Sequence, residues 1–261
     1  MYIFYFVQSL ERYVDSVRLV RVTTLVDSQA RLDCLLSSWG LSLLVEVGDG
    51  GRYAILVDTP GSFSVLERNA SLLGLDLSRI DAIFISHWHG DHCGALTALL
   101  QELEHDIPVY IPSWRISAIE EIKRAGGSPA VCEDPVSVCK GVMTTGSMGQ
   151  LLREHSLLVN VADRGLIVLS GCSHPGVVEI VRRSRQVSHV PDVHILVGGL
   201  HIGDFREGRR VASSLKSLGV NKISPCHCTG SPAKSAIRDS FGRDFTENGS
   251  GTTISVGQGR F

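Results

Sequence analysis

The stretch "ISHWHGDHCGAL", residues 85–96, sets His87, His89, Asp91 and His92 within six consecutive positions. It follows the short apolar run "DAIFI" and leads into "GALTALLQEL", where Ala95, Leu96, Leu99, Leu100 and Leu103 fall on one helical face. The polar cluster therefore occupies a bend between a buried strand and an amphipathic helix. On an extended segment, residues two apart project to the same side, so His87 and His89 can converge on one cation. Asp91 and His92 sit where the chain turns, and that turn aims them at a second position. Paired metals held about 3.5–4 Å apart are a recurrent hydrolytic device.

Working outward, β-type runs precede the cluster: "VRLVRVTTLV", "GLSLLVEV" and "YAILVD", separated by Gly, Asp and Ser turn signals. "FSVLERNASLLGLDL" has helical spacing. The second half repeats the theme, with strands at "SLLVNVA", "GLIVLSG" and "VHILVGG", helices at "PGVVEIVRRSRQV" and "REGRRVASSLKSLG", then "KISPCHCTG". Strands lead and helices cover, twice, which predicts a layered α/β protein with sheets inside and helices outside. In such folds ligands collect where loops leave the carboxyl ends of strands. Four such loops carry histidine: "SHWHGDH", "GCSHPG", "GGLH" and "PCHCTG". Six of the ten histidines lie there, His87, His89, His92, His174, His201 and His227, whereas His105, His189 and His194 are scattered and read as structural.

Composition narrows the function classes. With 43% hydrophobic and 20% charged residues and a formal net charge of -2, the chain has a globular profile and no surplus of cations to neutralise phosphates, so nucleic acid is not a favoured partner. No linker or low-complexity tract divides it, so one domain is expected over residues 18–261, behind an N-terminal extension at 1–17. "MYIFYFVQSL" is too short to span a bilayer and lacks a basic leader, which predicts no membrane association and a cytoplasmic location. Seven scattered cysteines read as reduced thiols. No Gly-x-Ser-x-Gly or Gly-x-x-x-x-Gly-Lys motif is present, and the Cys-His-Cys at 226–228 lacks the second pair that a structural zinc needs. Oligomeric state is not legible.

"HWHGDH" resembles the His-x-His-x-Asp-His signature of the metallo-β-lactamase superfamily. "LVDTPG", "LSGCSH" and "PCHCTG" extend the likeness along the chain. "WGLSLLVE", "GCSHPG", "GGLH" and "HCTG" resemble the branch labelled 7,8-dihydropterin-6-methyl-4-(β-D-ribofuranosyl)aminobenzene 5'-phosphate synthase. The resemblance implies a four-layer αββα sandwich with two divalent metal ions at one edge, zinc ahead of Mn2+ or Fe2+. It implies His87, His89 and His174 on one ion and Asp91, His92 and His227 on the other. Two departures stand out. Where many members carry a bridging aspartate this chain has Cys172, which is either a thiolate ligand favouring zinc or a small buried hydrophobe. Pro60 is inserted after Asp58-Thr59, leaving Asp58 at a strand end to orient a ligand rather than to touch metal. His155 competes with His174 for the first ion, and the rigid Pro-Gly after His174 favours the latter.

The expected activity is that of a binuclear metal-dependent hydrolase using a metal-bound hydroxide, with Asp91 orienting the nucleophile and His201 protonating the leaving group. The substrate is a small molecule, and Arg206, Arg209 and Arg210 soon after His201 suggest an anionic or phosphorylated one. A synthase-like transferase is the alternative within enzymes. A metal-binding or redox-sensing protein on the same fold is the alternative outside them.

Overall fold

A computed structural model describes residues 15–48, 52–103 and 105–258. The apolar runs form two sheets. One contains β1 (Leu19–Val26), β2 (Ser42–Gly48), β3 (Arg52–Val57), β4 (Ala82–Phe84), β5 (Ile107–Ile111) and β6 (Gly127–Val131), with β13 (Thr253–Gly257) beside β1. The other contains β7 (Ser137–Cys139), β8 (Val142–Thr144), β9 (Leu157–Val161), β10 (Gly165–Ser170), β11 (Val193–Gly199) and β12 (Val220–Cys226). Strands β3 to β6 pair in parallel, as do β10 to β12, so several strands of each sheet end on the same side.

Alternation along each strand explains the layering. Leu43 and Val45 of β2 face Leu157 and Val159 of β9 in a core between the sheets, while Leu44 and Leu158 point outward. Both faces are buried, so the strands read as nearly continuous apolar runs. Outside the first sheet lie α1 (Phe63–Leu72), the short α2 (Gly90–Cys93), α3 (Leu96–Glu102) and α4 (Ile116–Arg124), with Leu66, Leu99 and Ile122 packed on Leu56 and Ile83. Outside the second lie α5 (Val177–Ser188), α6 (Phe205–Ser217) and α7 (Ser231–Phe241), with Ile180, Leu215 and Ile237 on Val168 and Leu196. The result is the four-layer αββα sandwich expected from the sequence.

The segment 107–144 adds two strands, a helix and a hairpin that the sequence pattern did not announce. β5 and β6 each contain a proline, which removes a ladder donor and obscures the strand signal, and β6 tolerates it as an edge strand. Of the N-terminal extension read at 1–17, residues 1–14 lie outside the described residues. Val17 bonds to Asn160 and Ala162 and packs in the core between the sheets. Among the described residues no helix is long and apolar enough to cross a membrane.

Candidate metal centre

β3 leads directly into Asp58, whose backbone takes a positive φ of 61° while its N–H donates to the Phe84 carbonyl at 2.8 Å. That contact locks the carboxylate, wholly buried, beneath the loop leaving β4. Asp58 Oδ1 accepts from Ser86 N at 2.6 Å; Oδ2 accepts from Ser86 Oγ at 2.7 Å and from His92 Nδ1 at 2.6 Å. Ser86 Oγ has a single hydrogen and gives it to the carboxylate, so it accepts from His87 Nδ1 at 2.9 Å. One carboxylate thus fixes two imidazoles with their Nδ1–H groups turned inward. Both Nε2 lone pairs are left to face outward, where a cation could take them.

The neighbouring rings complete two groups. His87 Nε2 lies 3.1 Å from His89 Nδ1, and the rings of His87, His89 and His174 are mutually 4.7–4.9 Å apart. His92 Nε2 lies 3.1 Å from His227 Nε2, which is 3.3 Å from Asp91 Oδ2. Cys172 Sγ stands 3.2 Å from His92 Nε2 and shares ligand-distance groups with His87 on one side and His227 on the other. Within each group the donor atoms lie within 4.8 Å of one another.

These residues fit divalent metal ions. Nitrogen donors about 2.0–2.1 Å from a tetrahedral zinc sit about 3.3 Å apart, close to the spacings found here. His174 Nε2 is buried with no hydrogen-bond partner among the described residues. Crowded lone pairs also show in the proton affinities. Burial first, then the neighbouring imidazoles, pushes His87 far below the ordinary range and holds His174 and His227 at about 4. Burial opposes protonation of His92, yet the Asp58 carboxylate outweighs it and raises that group. The neutral donors and the single carboxylate are what a cation would use.

Two further acids brace the loops from behind. Buried Glu154 accepts the N–H groups of Cys172 at 3.0 Å and of Ser173 and His174 at 2.8 Å. Asp27 accepts His227 N at 2.8 Å. Gly171 lets the two sheets' loops meet, because a Cβ there would collide with Ser86 Oγ. Replacing Glu154 by glutamine puts an NH2 donor where an acceptor is required. Glu154→Gln is expected to cost about 2 kcal/mol of unfolding free energy, read by urea titration.

The structure therefore brings together His87, His89, Asp91, His92, Cys172, His174 and His227. His201 joins their rim, exposed, its ring 4.4 Å from that of His174. His155 is elsewhere: fully buried, stacked on Phe84 and donating from Nε2 to the Ile85 carbonyl at 2.8 Å. Arg206 is exposed in the first turn of α6, and Arg209 and Arg210 follow it on the same exposed helix. Sequence reasoning missed Glu154, Asp27 and Cys228. Cys228 forms a ligand-distance group with Cys172 and His227, its Sγ donates to the Cys172 carbonyl at 3.6 Å, and the adjoining Cys172 and His201 side chains hold its thiol below the ordinary value. Its position beside His227 was the available signal. Asp58, Ser173, His201 and His227 all adopt positive φ, so backbone rarely used by non-glycine residues is concentrated at this edge.

The family model described as Metallo-beta-lactamase superfamily matches residues 40–118. The 7,8-dihydropterin-6-methyl-4-(beta-D-ribofuranosyl)-aminobenzene-5'-phosphate synthase of Methanocaldococcus jannaschii is 30% identical, over 90% of this chain and 96% of the relative. The chain belongs to the metallo-β-lactamase superfamily. Members of solved structure share its fold. Tm1679, described as a metal-dependent hydrolase of the β-lactamase superfamily, superposes with a TM-score of 0.73 at 23% identity, covering 92% of this chain and 100% of that one. A diphosphatase from the PhnP family gives a TM-score of 0.59 at 11% identity, with coverage of 92% and 98%. The superfamily's fold suggests divalent metal binding, and the His/Asp/Cys groups described above are where this member could provide it.

Proposed function

We propose that this edge holds two divalent cations and that the protein is a hydrolase acting on a small anionic molecule. The convergence of His87, His89 and His174 on one position and Asp91, His92 and His227 on another, with Cys172 between them, carries this reading. The imidazoles and the Cys172 sulfur favour zinc over harder ions, and coordination would remove the thiol proton. When bound, such ions lower the pKa of water and polarise a substrate oxygen.

The chain's own residues supply the rest. Asp58 and Ser86 hold His87 and His92 in the donor tautomer, and Glu154 keeps the Cys172–His174 loop aimed at them. The Asp91 carboxylate, with its side chain 22% exposed, accepts a proton from water and orients it. His201 stands at the open side of His174 and delivers a proton to the departing oxygen.

A second reading, synthase chemistry on a dihydropterin and an aminobenzene riboside phosphate, is favoured by the Methanocaldococcus relative's similarity over nearly its whole length. One experiment separates them. Purified protein is assayed for metal by mass spectrometry, then offered phosphomonoester, phosphodiester, thioester and lactone panels. In parallel it is offered a 6-substituted dihydropterin donor with the aminobenzene riboside phosphate. Hydrolysis that depends on about two ions per chain supports the first reading. Product formation only in the parallel arm replaces it with the second, and absence of bound metal sinks both.

A further inference from the structure

Trp39 stands just before β2, and its indole is 63% exposed although it packs on a candidate ligand: the Trp39 and His227 ring centroids are 4.8 Å apart at a tilt of 41°. The backbone on either side is fixed. Ser38 N donates to the Asp27 carbonyl at 3.1 Å, and Leu41 N donates to the Asp91 carbonyl at 3.2 Å. Between them Gly40 has φ 146° and no room for a side chain, since a Cβ would lie 2.8 Å from the Asp91 oxygen. Asp27 bonds to the His227 backbone, and Asp91 is itself a candidate ligand. The indole is therefore tied by short covalent and hydrogen-bonded paths to both sides of one ion position.

A large aromatic ring held in solvent forgoes the stabilisation that burial would give it, and rings of this kind recover it by stacking. We propose that Trp39 is the stacking platform for a planar aromatic ring of the substrate, whose anionic substituent then lies over the His227 and Asp91 side of the cluster. One face of the indole is occupied by His227; the exposed remainder is the surface offered. The proposal rests on the cluster being a metal site for small molecules, and it adds the chemical class of the group that enters.

The test uses two non-hydrolysable anions of equal charge and nearly equal size, phenylphosphonate and cyclohexylphosphonate, titrated by calorimetry into the metal-loaded protein. Wild type should bind the phenyl compound about 3- to 10-fold more tightly than the cyclohexyl one, the range given by an aromatic pair. Trp39→Ala should bring that ratio to about 1 with metal content unchanged, and Trp39→Phe should retain most of it. Equal binding of the two compounds by wild type, binding of neither, or a preference surviving in Trp39→Ala would overturn the proposal. Loss of a dimer in Trp39→Ala, read by light scattering, with the ratio unchanged would likewise reject it and make Trp39 a contact between copies. Metal content reports on the cluster, and the ring preference reports on Trp39, so failure of either is separately visible.

Discussion

Asp91→Ala should reduce turnover by about 10³-fold or more and lower the metal content from about two ions per chain to about one. Asp91 is the one carboxylate among the ligand-distance groups of the described residues, set against His92 and His227. Removing it leaves His92, His227 and the shared Cys172 to hold a doubly charged ion and takes away the group that orients water. Because its side chain is partly exposed and it sits in the four-residue α2, the fold should tolerate the change, with an unfolding midpoint close to wild type. Kinetics on the best substrate of the panel, metal analysis and thermal unfolding check the three parts. Normal turnover with normal metal content would remove Asp91 from the site.

Metal-free protein should lose stability steeply as pH falls from about 6.5 to 4.5. His87 and His227, together with the core residue His155 at about 3, are held below the ordinary imidazole value in the fold. In that interval the unfolded chain protonates these rings and the folded chain does not, so unfolding is favoured as acid is added. Buried Asp27 and Glu154 work in the opposite sense, because burial raises them and the fold takes up their protons first. His92, raised by Asp58, contributes stability that is complete below the unfolded value and fades only as pH rises through its folded value. The lowered imidazoles, His174 at about 4 among them, outweigh the two carboxylates and leave a net slope of about 1–2 kcal/mol per pH unit. Urea titrations at half-unit pH steps measure it, and a flat stability across this interval would contradict the neutral-donor arrangement. Bound metal should be released in the same interval, since protons and cations compete for the same lone pairs.

Much of this cluster of side chains is legible in the sequence. The spacing of His87, His89, Asp91 and His92 survives as geometry because it is local: a strand end and a tight turn fix where those side chains point. His174, His201 and His227 were found by a weaker rule, histidine after a strand, and the fold brings all three to the same edge. Glu154 and Asp27 were invisible because their role is defined by backbone N–H groups roughly 20 and 200 positions away in sequence, which no periodicity encodes. β13 escaped because its strand character depends on pairing with β1, more than 200 residues earlier. Trp39 was legible only as the first residue of "WGLSLLVE", a likeness to the synthase branch; what matters about it is that it remains in solvent.

The proposed ions would be gripped by loops from both sheets, and those sheets share one continuous apolar interior. A swinging motion of one half against the other would have to flood that interior with water, so the centre cannot admit or expel molecules by hinging at its seam. Traffic must pass over the rim, along the stretches that carry the exposed Trp39 and His201. Slackening those short stretches would change how fast molecules come and go while leaving ion affinity intact; tilting the sheets would do the reverse.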